Sequence, residues 1–205
     1  MMKNIPYAIS SKLLEVLSAT QFDPWATTQY KGYVGLNNMK KGDFGELFVE
    51  EYMKHKFNGV SVGKRLNCGH DRIIDGYKTE IKFSLNSRDK NGISSSPSNN
   101  FIFNHISLGK DWDRLILCGV NLDQSITIVW CTKANLTTFI RQDKHQDIVK
   151  PQQGGKGLEN DDYWITGSKA VRKFLRLDFI HDISLWKERD YDIIHNNNNL
   201  DRFFT

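Results

Sequence analysis

The sequence of 205 residues has little cysteine and little proline, three and four residues respectively. Cys68, Cys118 and Cys131 are odd in number and widely spaced. They predict neither a disulfide framework nor a zinc ligand set, so a reduced, cytoplasmic protein is the expectation. No apolar run approaches the roughly 18 residues of a helical membrane span, so no membrane partner is expected. The segment MMKNIPYAISSKLLEVL (1–17) is too polar to predict a secretory signal. No internal repeat is present, which excludes solenoids and propellers. Neither sign of charge dominates. Lys and Arg number 28 against 24 Asp and Glu, a net +4 that permits a nucleic-acid partner without requiring one. Residues that are 39% hydrophobic and 25% charged are those of a globular chain, not a disordered one.

Within that composition, hydrophobic spacing predicts a short helix over 8–19, carried by Ile9, Leu13, Leu14 and Leu17. Residues 20–38 read as a turn-rich aromatic connection. A second helix starts near Lys40, with Phe44, Leu47, Phe48, Glu51 and Tyr52 in one stripe, and Asn58-Gly59 ends it. Strands follow at Val60–Leu66, Asp71–Ile74 and Tyr77–Phe83. Asp75-Gly76 between the last two predicts a two-residue hairpin, because a type I′ turn needs positive φ at both central positions. Residues 85–100 and 150–163 read as polar loops. Arg114–Val120 and Ile126–Thr132 are the most apolar strands, followed by short helices at 133–141 and 167–176. The expectation is one α/β (α+β) domain over 1–205, a mixed β-sheet flanked by helices. Its core spans about 40–141, after a helical segment at 1–38 and before a helical segment and tail at 164–205.

The chemistry concentrates in HDRIIDGYKTEIKFS, residues 70–84. A turn at Asp75-Gly76 sets Ile74 opposite Tyr77, Ile73 opposite Lys78, Arg72 opposite Thr79 and Asp71 opposite Glu80. Side chains alternate between faces. The face with Ile74, Tyr77, Ile81 and Phe83 packs on the core. The other carries Asp71, Glu80, Lys82 and Lys78. Two carboxylates then face each other at a Cβ separation of about 5 Å, with a lysine two residues along. Carboxylates so close repel unless a cation lies between them. A hard ion such as Mg²⁺, with oxygen ligands near about 2.1 Å, suits them. The lysine can orient water or stabilise a developing oxyanion. Those are the parts of phosphodiester hydrolysis. Asp75, at the hairpin tip and about 10 Å along the strand from Glu80, is explained by the turn.

Asp71 followed by Glu80-Ile81-Lys82 at the end of a hairpin resembles the PD-(D/E)xK nuclease superfamily, which includes the type II restriction endonucleases. Lys41-Gly42-Asp43-Phe44-Gly45-Glu46-Leu47 upstream is similar to the Gly-x-x-Gly-Glu helix of many members. Where a proline often precedes the aspartate, this chain has His70. The resemblance covers about residues 40–141. It implies a restriction-endonuclease-like fold and Mg²⁺-dependent cleavage of double-stranded DNA by a homodimer whose two-fold axis matches a palindrome. It also implies Asp71, Glu80 and Glu46 as metal ligands and Lys82 as the residue that positions water. A junction resolvase or repair nuclease of the same fold, or a non-catalytic DNA-binding module, are the alternatives. The side chains expected to meet DNA are Arg88, Lys90, Asn99, Asn100 and His105, with Gln152, Gln153 and Lys156 in the second loop.

Overall fold

The computed structural model describes residues 23–63, 69–86, 99–142, 147–152 and 161–187. The helix expected over 8–19, the end of the first strand, most of the two polar loops and the tail lie outside the described residues. The chain divides into two compact units, Met1–Leu36 and Asn37–Thr205. In the first, the Asp23 carboxylate accepts the amides of Trp25 and Gly32 at 2.9 and 3.0 Å. Trp25 and Tyr30 are buried and meet edge to face, 5.4 Å between ring centroids.

The second unit is mixed α/β. Its first helix, α1 (Asn38–Lys56), starts where the Asn37 side chain accepts the Lys40 amide at 2.9 Å. It ends with Lys54, His55 and Lys56 in the last turn, a favourable sign at that end of the helix dipole. Its buried stripe is Gly45, Val49 and Met53, while Leu47 is 53% exposed. The stripe expected from spacing is therefore rotated. The reason is contact: a Cβ added at Gly45 would stand 2.3 Å from Phe83 Cβ. The helix backbone rests directly on the sheet there, and Phe44 and Phe48 flank the Phe83 ring at 5.4 and 5.3 Å.

Six strands form the main sheet, in the order β1 (Val62–Gly63), β2 (Arg72–Ile74), β3 (Tyr77–Leu85), β5 (Arg114–Val120), β6 (Ile126–Thr132) and β9 (His181–Asp182). The β3–β5 pair is parallel and the others are antiparallel. The β2–β3 register is Ile74 with Tyr77, Ile73 with Lys78 and Arg72 with Thr79. Asp75 and Gly76 have φ of 50° and 86°, as a type I′ turn requires. All of β5 is buried, and after Arg114 it reads as a continuous apolar run over 115–120. Even-numbered Ile116, Cys118, Ile128 and Trp130 pack with Ile81 and with Val49 and Met53 of α1. Odd-numbered Leu115, Leu117, Val129 and Cys131 pack into a core on the other face.

That second face is covered by the two short helices expected from the sequence and by a small sheet that was not expected. A three-stranded sheet, β4 (Ile102–Ser107), β8 (Asp162–Thr166) and β7 (Lys150–Pro151), lies there with α2 (Lys133–Ile140) and α3 (Ser168–Phe174). Phe103 and Ile106 of β4 both point into the core although three residues apart. The pairing with β8 shifts between them, and His105 has a φ of 55°. Such an irregularity breaks the two-residue alternation by which a strand is recognised.

Candidate active site

The parallel pairing aligns Glu80 with Leu115 and Lys82 with Leu117. Those leucines belong to the core under the second layer, so the polar face of the hairpin is covered at Glu80, while Lys78 nearer the tip stays exposed. Glu80 is fully buried, at 0% exposure. Its Oε1 accepts from Lys82 Nζ at 2.6 Å and from Lys110 Nζ at 3.2 Å. Its Oε2 is buried with no hydrogen-bond partner among the described residues. An ionised carboxylate in such a place requires compensating charge, and two ammonium groups supply it on one oxygen only.

Asp71 lies immediately before β2. Its amide donates to the Thr79 carbonyl at 3.0 Å, and its Oδ2 accepts from the Ile81 amide at 2.8 Å. The Asp71 carboxylate is thus drawn across the hairpin to the backbone next to Glu80. Burial raises its pKa above the usual carboxylate value, and the Glu80 charge raises it further. The Ile81 amide, Lys82 and Lys110 oppose that shift. The two acids and two lysines form one electrostatic group.

Glu46 has a different partner. Arg72 Nη1 donates to Glu46 Oε2 at 2.6 Å and to the Asp71 carbonyl at 2.8 Å, while Arg72 Nε donates to Glu50 Oε2 at 2.8 Å. The i, i+4 spacing of the glutamates on α1 lets one guanidinium span both. A hydrogen bond from Lys54, then that from Arg72, holds the Glu50 carboxyl below its ordinary value. Among the described residues, no three His, Cys, Asp or Glu side chains stand together as a metal-binding group. Glu46 is joined to Asp71 through Arg72.

Both oxygens of Asp75 are occupied by structure. Oδ1 accepts the Ser61 amide at 2.9 Å and Oδ2 the Trp186 indole at 3.0 Å. His70 is buried, with Nδ1 3.2 Å from the Asp111 carbonyl. Cys68 lies outside the described residues. Cys118 and Cys131 are buried, and burial pushes the Cys131 thiol up to about 12, which leaves it inert as a nucleophile.

The residues expected to meet DNA divide into three groups. Arg88, Lys90, Gln153 and Lys156 lie outside the described residues. Asn99 and Asn100 are half-buried. Asn99 exchanges hydrogen bonds with Asn121, its amide donating to Oδ1 at 3.0 Å and its own Oδ1 accepting from Nδ2 at 2.9 Å. Asn86 Nδ2 donates to the same Asn121 Oδ1 at 2.9 Å, so Asn121 ties residue 86 to residue 99. His105 and Gln152, 47 positions apart, come together: the His105 amide donates to Gln152 Oε1 at 3.4 Å. The exposed His105 ring sets Nδ1 3.1 Å from Asp162 Oδ2.

Two charged residues of the site escaped the sequence reading. The hairpin register gives Arg72 only a place opposite Thr79, without its glutamate partners. Lys110 is 30 positions from Glu80, in the turn before β5, and no local pattern distinguishes it. The parallel β3–β5 pairing, with His70 and Lys78 bonded to Asp111, brings that turn to the glutamate. No protein-family model matches this chain, and no relative is found among curated proteins.

Proposed function

We propose that this protein is a Mg²⁺-dependent endonuclease acting on double-stranded DNA, with a restriction-endonuclease-like fold and a PD-(D/E)xK site. The observation that carries the reading is the Asp71–Glu80 pair: Glu80 is buried and Asp71 half-buried, one Glu80 oxygen has no partner among the described residues, and two lysines stand at its edge. Two carboxylates that repel each other, with Glu80 Oε2 lacking a partner among the described residues, fit a divalent cation. Asp71 and Glu80 would hold it. When bound it supplies positive charge against the phosphoryl oxygens. Lys82, fixed against Glu80, directs an ammonium at the reacting phosphate. It orients the attacking water and stabilises the charge that develops. Arg72 holds the Asp71 backbone in place, and Glu46 and Glu50 hold Arg72.

Within this class a type II restriction enzyme, working as a homodimer, is the preferred task. The test is a digest of plasmid DNA with Mg²⁺, with and without chelator, followed by sequencing of the ends. Discrete fragments sharing one terminal sequence are expected, and their loss in Glu80→Gln ties cutting to this site. Selective cutting of four-way junctions assigns a resolvase instead. Binding without cutting assigns a DNA-binding module and refutes the catalytic reading.

A further inference from the structure

We propose that Lys110 is the exchangeable counter-ion of this site. Its ammonium holds Glu80 until a divalent cation takes the two carboxylates. It then turns outward to a phosphate oxygen of bound DNA. The inference rests on the endonuclease reading and adds a residue to it.

The two lysines at Glu80 are not equivalent. Lys82 is on the same strand, 16% exposed, with its Nζ at 2.6 Å from Oε1. Lys110 comes from a turn, is 44% exposed, and reaches the same oxygen at 3.2 Å. Both crowd Oε1 while Oε2 has no partner among the described residues. Without metal, two acids face two ammonium groups, so even with both acids ionised the positive charges match the negative ones in number. A divalent cation between Asp71 and Glu80 adds two positive charges to that balance, and like charges a few ångströms apart repel strongly in a buried place. One ammonium must leave. The longer and more exposed contact is the one that yields, because water can take over its solvation. Its backbone stays fixed, since the Lys110 amide donates to the Ser107 carbonyl at 3.4 Å and its carbonyl accepts from Lys133 Nζ. Only the side chain swings. Its partly exposed end is open to an approaching duplex, and an ammonium on a flexible stem suits a phosphate contact.

This makes a prediction of unusual sign: removing a cation from the site tightens cation binding. Mn²⁺ is titrated into the wild-type protein, Lys110→Ala, Lys110→Gln and the remote control Lys169→Ala, with free Mn²⁺ read by electron paramagnetic resonance. Circular dichroism checks that each variant folds. Both Lys110 variants should bind Mn²⁺ roughly three- to tenfold more tightly, and Lys169→Ala should match wild type. In Ca²⁺, the dependence of log duplex affinity on log salt should become shallower by about one unit in the Lys110 variants. Unchanged or weaker Mn²⁺ binding in those variants, or an unchanged slope, overturns the proposal while the metal site stands. Wild-type protein that takes up no Mn²⁺ overturns the metal site itself, and the endonuclease reading with it.

Discussion

The carboxylate of Asp71 accepts the amide hydrogen of Ile81 at 2.8 Å, across the hairpin and one residue beyond Glu80. This bond fixes one acid against the backbone that carries the other, so the pair cannot relax by moving apart. Burial and the Glu80 charge raise the Asp71 pKa. A raised carboxyl pKa favours the protonated form in the folded state. Its contribution to stability is complete below the unfolded value and is lost as pH rises through the folded one. The metal-free wild-type protein should therefore lose stability relative to Asp71→Asn as pH climbs from the acid range to neutrality. Mg²⁺ should restore the wild type and leave the variant unmoved. Scanning calorimetry of both proteins across pH, with and without Mg²⁺, measures this. A melting-temperature difference that is flat in pH would show that the pair is already compensated.

Lys82 is expected to matter twice. It supplies the closer of two positive charges on a fully buried glutamate, and it faces the proposed reaction. Lys82→Ala should cost roughly 1–3 kcal/mol of stability. That is below the full figure for a broken buried pair, because Lys110 remains and Lys82 itself is partly solvated. Cleavage should fall by at least about a hundredfold. Lys82→Arg should recover stability more than activity, since a planar guanidinium keeps the charge but not the position. Urea unfolding and single-turnover cleavage separate the two effects. Activity within tenfold of wild type in Lys82→Ala would remove Lys82 from the mechanism.

Much of the main sheet was legible because its signals are local. The Asp75-Gly76 turn fixed the β2–β3 register, and β5 and β6 are apolar runs with few other readings. The adjacency of Asp71 and Glu80 followed from that register, although a side-chain bond to Ile81 completes it. The burial of Glu80 was not legible. A period-two pattern shows which residues share a face, but not what a later part of the chain lays over it. The covering strands were obscure for physical reasons: β4 shifts register at a positive-φ His105, and β8 is short and borders a polar loop. Lys110 and the Arg72 bridge depend on pairings across 30, 26 and 22 positions, which hydrophobic periodicity does not encode.

Gly42 and Gly45 resemble one motif but have separate physics. Nothing lies within 4 Å of a Cβ added at Gly42, whereas one at Gly45 meets Phe83 Cβ at 2.3 Å. Gly42→Ala should stabilise the protein by about 0.5–1 kcal/mol, the helix-propensity difference. Gly45→Ala should destabilise it by roughly 1–3 kcal/mol, as overpacking does, because α1 must lift from β3. Denaturant midpoints of the two variants decide this. Equal effects of the same sign would mean that the helix does not rest on Phe83 as described.

Glu46 provides the sharpest test of how far the family resemblance reaches. The resemblance implies a metal ligand. The geometry gives the Glu46 carboxylate to Arg72 at 2.6 Å, and Arg72 passes it on to the Asp71 carbonyl at 2.8 Å. A residue acting through that bridge is a positioning residue. Glu46→Gln should then keep Mn²⁺ affinity within about threefold, since a neutral amide still accepts from the guanidinium. Arg72→Lys, which cannot span Glu46, Glu50 and the carbonyl with one point charge, should lose more stability than Glu46→Gln. The double variant should show a coupling energy of roughly 0.5–3 kcal/mol, as expected for residues in one network. Mn²⁺ titration and urea unfolding of the two single variants and the double variant give both quantities. A loss of Mn²⁺ affinity of about a hundredfold in Glu46→Gln, with additive stabilities, would make Glu46 a direct ligand. Arg72 would then have to release it when the cation binds.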